Sequence, residues 1–364
     1  MKKERKKKKI NIFSIIFRFI QVIIAMVIIL IPLSLGAFIY FNAPVQTSDL
    51  PMLSETQTIR LEHEGSFLVD VRRGESAQSV GLRLERAGLI KSRYFWELIC
   101  RLSGDQVKTG TYRVTLPANP LSIFRILVSG VEVQLKVTIP EGVTLQKTAR
   151  LLENAGICSA SEFLSASHDP WIMNQYEIPN DSMEGYLFPD TYFFPASFPA
   201  DQIVMKMADN FFAQLAGISP QALTMTKKEL NDKVILASIV EREYRIAQEA
   251  PLMAGVFLNR LRINMALQSC ATVVYVITEI QGRPHPSVLY YVDLEIRNPY
   301  NTYLYPGLPP GPISAPGFTS LNAVFNPENT DYLYFRLTDP ASGRHYFSRT
   351  FDDHIRAGEL LIKP

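Results

Sequence analysis

The sequence predicts an α+β protein carried behind a single N-terminal membrane-spanning helix, and three observations lead there. From Phe19 to Phe41, "FIQVIIAMVIILIPLSLGAFIYF", there are 23 residues without a charge, enough for a helix to cross a hydrocarbon core about 30 Å thick. A strand-turn-helix pattern then occurs twice, 68 residues apart. The last third returns to short strands between Pro- and Gly-rich turns.

Ahead of the apolar run, "MKKERKKKK" and Arg18 supply eight basic residues against Glu4, a charge of +7. The whole chain carries +2, so the remainder carries −5. Basic flanks stay in the cytoplasm, which assigns residues 1–18 to the inside, 19–41 to the cytoplasmic membrane and everything after Phe41 to the periplasmic or exterior side. A cleaved signal peptide fits poorly: its apolar region is typically ~7–15 residues, and "SLGAFIYFNAP" is a weak cleavage site. A net acidic folded part speaks against a nucleic-acid partner. Cys100, Cys158 and Cys270 match neither a disulfide framework nor a zinc spacing, and no HExxH accompanies the five histidines. No P-loop, GxGxxG or GxSxG is present. No metal or cofactor is expected.

Residues 42–65 are polar, Pro-containing and aperiodic, the composition of a tether. Next, "VDVRRGESAQSVGLRLERAGLIKSRYF" (69–95) aligns without gaps to "VTIPEGVTLQKTARLLENAGICSASEF" (137–163). Each copy begins as an alternating strand, turns at Gly74 or Gly142, caps a helix with Ser76 or Thr144 and ends it at Gly88 or Gly156. A second helix follows. After the first copy, "KTGTYRVTL" (108–116) supplies a returning strand. The resulting β-α-α-β unit, over 66–130, resembles a LysM-like module, a small fold that holds glycan chains; a spacer of the same shape that binds nothing is the alternative. The second copy does not close in the same way and runs into "SMEGYLFPDTYFFP" (182–195). A helix near 200–216, the apolar "VILASIVEREY" (234–244) and a Pro-started helix, "PLMAGVFLNRLR", come next. "NPYNTYLYPGLPPGPISAPG" (298–317) is turn-rich, and "DYLYFRL" and "RHYFSRT" bracket "TDPASG" as a hairpin.

Within 234–244 the apolar side chains cover almost every direction of a helical wheel, the pattern of a helix buried all round. Glu241 falls beside Ala237 and Val234, with Ser238 close by; Glu243 falls roughly 160° away. The two carboxylates therefore cannot serve one site. Small neighbours leave room for a ligand over Glu241, where an apolar setting raises a carboxyl pKa. Glu243 is expected to pair with Arg242, Arg245 or Arg260. On spacing alone, an ion pair at a helix end is the better explanation of Glu241.

"LASIVEREY", "VFLNRLRINMALQS", "EGYLFPDTY" and "YNTYLYPGLPPGPISAPG" together resemble the MltG (YceG-like) family of membrane-anchored endolytic murein transglycosylases, from about residue 66 to the C-terminus. The resemblance implies a catalytic domain over 131–364 with Glu241 as its acid. It implies cleavage of the β-1,4 bond between N-acetylmuramic acid and N-acetylglucosamine in peptidoglycan strands, leaving 1,6-anhydro ends, with wall-synthesis proteins as possible companions and termination of nascent strands as a role. Glu184, Tyr186, Asp190, Asn259, Gln268, Asn301 and Tyr303 are candidates for holding sugar; for each, a turn, core or surface role is the alternative. Where the family has Asp-Pro after "LQS", this chain has Cys270-Ala271. Restoring Asp and Pro there is expected to keep or raise activity. Two other readings stay open: a muramidase-type hydrolase recruiting Glu184 or Asp190 as second carboxylate, and a catalytically silent wall-binding scaffold.

Overall fold

The computed structural model describes residues 12–49, 59–63, 65–196 and 198–359. Residues 1–11 of the basic segment and 50–58 of the expected tether lie outside the described residues. The chain divides into two compact units, one through Val133 and one from Gln134, and its described secondary structure is mixed α and β.

In the first unit, helix α1 (Ile12–Phe41) carries an apolar stretch from Phe17 to Phe41, long and apolar enough to cross a membrane. A three-stranded antiparallel sheet follows, β1 (Ile59–His63), β2 (Ser66–Val71) and β3 (Gly110–Thr115), in that order. Helices α2 (Ala77–Arg86) and α3 (Arg93–Ser103) connect β2 to β3, the expected β-α-α-β order, and α4 (Pro120–Ser129) closes the unit. Ser76 caps α2 by accepting from the Ser79 N–H. Trp96, at the centre of the core with Phe67, Leu84 and Tyr112, donates its indole N–H to Ala77 O at 2.9 Å, which satisfies the polar atom of a fully buried ring.

One expectation is corrected here. The span assigned to a tether contains β1, paired to β2, and Val45 bridges to Ala118. Only Ile59 of β1 faces the core, and Ile59 and Leu61 alternate with polar residues over too short a stretch to mark a strand in the sequence.

The second unit opens with the second repeat: β4 (Gln134–Thr138), α5 (Leu145–Asn154) and α6 (Ala160–Ser167), then α7 (Pro170–Gln175). Its closing strand is β5 (Thr191–Pro195), antiparallel to β4 with Val137 opposite Tyr192. Thus the second copy also ends in a returning strand, inside the FPDTYFFP motif. Around it pack α8 (Ala200–Ile218), α9 (Lys227–Glu243), α10 (Ala250–Arg262) and α11 (Cys270–Tyr275, continued by a π turn to Ile280), with a single turn, α12 (Tyr291–Leu294), and α13 (Phe318–Phe325). The hairpin β6 (Tyr334–Asp339) and β7 (Arg344–Ser348) and helix α14 (Phe351–Glu359) complete it.

Helix α9 is the axis of this unit. A capping box of Thr226 and Glu229 starts it, and every side chain from Val234 to Val240 is buried. The buried run ends at Val240, so the two glutamates of the last turn lie where the core stops.

Candidate active site

Glu241 leaves the last turn of α9 toward the N-terminus of α13. Its Oε2 accepts from the Gly317 N–H at 2.9 Å and from the Ser320 hydroxyl at 2.7 Å, and Tyr244 donates its hydroxyl to Oε1 at 3.3 Å. Gly317 is the N-cap of α13 and Ser320 lies in its first turn, so the carboxylate sits at the positive end of a helix dipole. The 313–317 segment is laced to α9: the Ile313 N–H donates to Ser238 Oγ, and the Ser314 hydroxyl donates to Ser238 O. Small side chains at 237 and 238 allow that approach.

A third element arrives from the second repeat. Gly142, at φ 70°, turns the chain between β4 and α5. Its N–H donates to Ala315 O, Ala315 N–H donates to Val143 O, and Arg242 donates to Gly142 O. This pairing lays the exposed Glu141 side chain across Gly317, where a Cβ would collide with it. Two carboxylates thus flank one glycine, Glu241 on its N–H and Glu141 over its Cα.

Burial raises the Glu241 pKa above the usual carboxyl range; the Ser320 and Gly317 donors pull it down, and the negative charge of Glu141 pushes it up again. The net direction is upward, which keeps a proton available to donate. Once the proton leaves, the carboxylate finds donors already in place.

Glu243 points the other way, as the wheel requires. The expected arginine partner is replaced by Ser269, whose hydroxyl donates to it, and by the Ala271 N–H. The arginines are spent elsewhere: Arg242 on Gly142 O, and Arg260 on Leu267 O and Leu333 O. Burial raises the Glu243 pKa as well.

Most sugar-holding candidates serve the scaffold. Glu184 is buried under the start of α5, where both its oxygens accept from the Leu145 N–H, and burial pushes its pKa up to about 8. Tyr186 is 1% exposed and donates to Asn231 Oδ1, leaving no surface for a sugar. Asp190 accepts from the Thr191 N–H and from Asn210, the turn role. The buried Asn259 and Asn301 donate to backbone carbonyls, of Thr330 and Tyr332 and of Leu294 and Ile296. Gln268 and Tyr303 do line an open cleft, with Cys270 Sγ 3.1 Å from the Tyr303 hydroxyl. Glu184 and Asp190 are thus taken up by backbone and side-chain donors of their own, and neither bonds to Glu241. Glu141 is the carboxylate that sequence reasoning missed; its one signal was that the repeat alignment sets it against Arg73, a reversal of charge at the turn.

A sequence profile of the YceG-like family matches residues 69–359, four-fifths of the chain. The chain belongs to the YceG-like family. A crystal structure of a YceG-like protein from Listeria monocytogenes superposes with a TM-score of 0.54 at 30% identity, covering 80% of this chain and 98% of that one. Among curated relatives of this YceG-like chain, the endolytic murein transglycosylase of Bacillus subtilis is 26% identical over 343 residues, 90% of each protein. The endolytic murein transglycosylase of Streptococcus pneumoniae strain D39 is 27% identical over 317 residues, which is 79% of this chain and 57% of that protein's length.

Proposed function

We propose that this chain is a membrane-anchored endolytic lytic transglycosylase that cleaves the β-1,4 bond between N-acetylmuramic acid and N-acetylglucosamine, with Glu241 as its single acid/base. The observation that carries the reading is the Glu241 carboxyl, raised in pKa by burial and met by the Gly317 and Ser320 donors. Family membership and relatives named endolytic murein transglycosylase support the reaction class.

Protonated Glu241 gives its proton to the glycosidic oxygen, and the bond from that oxygen to C1 of the muramic residue breaks. The α13 N-terminus stabilises the carboxylate that remains. The muramic C6 hydroxyl then closes on C1 as its proton passes to Glu241, giving a 1,6-anhydro end and restoring the acid. No water is consumed. An intramolecular hydroxyl has a high effective concentration, so one tuned carboxyl suffices where hydrolysis normally uses two.

Glu141 favours a second reading, in which it activates water beside Glu241 and the product is a reducing end. Digestion in ¹⁸O-labelled water followed by mass spectrometry separates the two: the proposal expects anhydro ends without label, and labelled reducing ends would establish hydrolysis instead.

In this reading α1 is the anchor in the cytoplasmic membrane, with the basic segment on the cytoplasmic side and the enzyme outside. The anchor keeps it close to emerging glycan, which suits termination of nascent strands. The β-α-α-β unit would hold glycan as a LysM-like module; wall-synthesis proteins are the proposed company.

A further inference from the structure

The far side of the α9 terminus opens into a cleft of about 950 Å³, the upper end of what a small-ligand site encloses. Tyr244 joins it to the acid, because its ring lines the cleft while its hydroxyl donates to Glu241. The lining is strongly positive. Arg242, Arg245, Arg260 and Arg336 face a single carboxylate, Glu243, which is turned toward Ser269 and whose pKa burial raises. None of the four arginines forms an ion pair among the described residues.

Arg242 and Arg260 are anchored by backbone carbonyls, while Arg245 and Arg336 are exposed at the cleft. Arg245 packs its stem on the hairpin turn, its Cβ 3.1 Å from where a Cβ on Gly343 would stand. Arg336 lies so close over Gly358 of α14 that any Cβ there would collide with its guanidinium. Arg260 is fixed by two carbonyls and lies over the Tyr334 ring. His354 brings a buried Nδ1 with no partner.

We propose that this cleft is a second substrate subsite, which takes the carboxylate groups of the peptide stems borne by muramic acid residues. The inference rests on the reading of Glu241 and names what the enzyme selects: strands that still carry stems. Guanidinium forks match carboxylates in geometry and charge. The charges come from separate elements, the end of α9, α10 and β6, with Tyr303, Tyr334 and Phe335 among them. That distribution suits an extended ligand with spaced anions and apolar stretches; a lone phosphate needs donors converging on one point.

The test compares the full chain on uncross-linked strands bearing stems and on the same strands stripped by an amidase. The wild type is expected to prefer stem-bearing strands by about tenfold or more in kcat/KM at low salt, the preference shrinking as salt screens the charges. Arg245→Gln with Arg336→Gln should bring the ratio toward one with an unchanged melting temperature, and Arg245→Lys with Arg336→Lys should restore part of it. Free stem peptide should compete. Equal wild-type rates on both strands, a ratio unmoved by the Gln pair, or competition by inorganic pyrophosphate but not by stem peptide would each overturn the assignment. If the wild type cuts neither strand, the reading of Glu241 has failed, and calorimetric binding of the two strands decides the cleft by the same ratio.

Discussion

At Glu241 two opposed influences set the proton: burial and Glu141 favour the acid, while the α13 donors favour the base. A group that must give a proton and take one back needs both. Glu141→Gln removes a neighbouring negative charge and so lowers the Glu241 pKa. Because the working form is the acid and activity falls as pH rises through that pKa, the alkaline limb of the pH–rate profile should move to lower pH. A variant with no activity at any pH would instead mark Glu141 as a participant in the chemistry. That Glu241 and Glu243 leave α9 toward different partners was legible in the sequence, since residues two apart on a helix do not share a face. Glu141 was not, because its approach depends on the Gly142 turn pairing with Ala315 across more than 170 residues of chain, and no local pattern encodes such a contact.

Helix ends carry the next level of the account. Glu184 is buried at the start of α5 with a folded pKa of about 8 against an ordinary 4.5. The unfolded chain therefore loses this proton first. The stability this group lends is complete below pH 4.5 and drains away as pH rises toward 8. Denaturant melts of wild type should lose on the order of a few kcal/mol over that range, and Glu184→Gln should flatten the curve; parallel curves would show that Glu184 is ionised in the fold. At α11, the Ala271 N–H donates to buried Glu243. Ala271→Pro deletes that donor, so contrary to the expectation from family pattern alone it should cost about 1–3 kcal/mol, measured as a shift in the denaturant midpoint. Cys270→Asp without the proline avoids this loss. The repeat was readable down to its caps, Ser76 and Thr144, because capping is a local rule. β1 was not, as the alternation of Ile59 and Leu61 is too short to stand out from a polar segment.

For the whole molecule, the sequence carried the class and order of elements, because long periodic stretches and capped helices dominate both units. It was less informative about the candidate groove: buried polar residues such as Tyr186, Asn259 and Asn301 look alike in sequence whether they hold a sugar or a backbone carbonyl. Topology is the property of the full chain most open to direct measurement. A reporter that works only outside the cytoplasm, fused after Pro364, should be active, given the +7 flank before the uncharged span. Activity of a cytoplasm-only reporter at the same point would invert the arrangement and remove the enzyme from its proposed substrate.

The central claim is that Glu241 alone moves the proton, and counting anhydro ends by mass spectrometry in murein treated with wild type, Glu241→Gln and Glu243→Gln tests it most directly. Glu241→Gln keeps the shape and the Gly317 contact but has no transferable proton, so anhydro ends should fall by at least ~10²–10⁴-fold in a protein that still folds. Glu243→Gln, whose partners are Ser269 and the Ala271 N–H, should keep most of the rate and show its cost in stability. The reverse result, a silent Glu243→Gln and a working Glu241→Gln, would contradict the account.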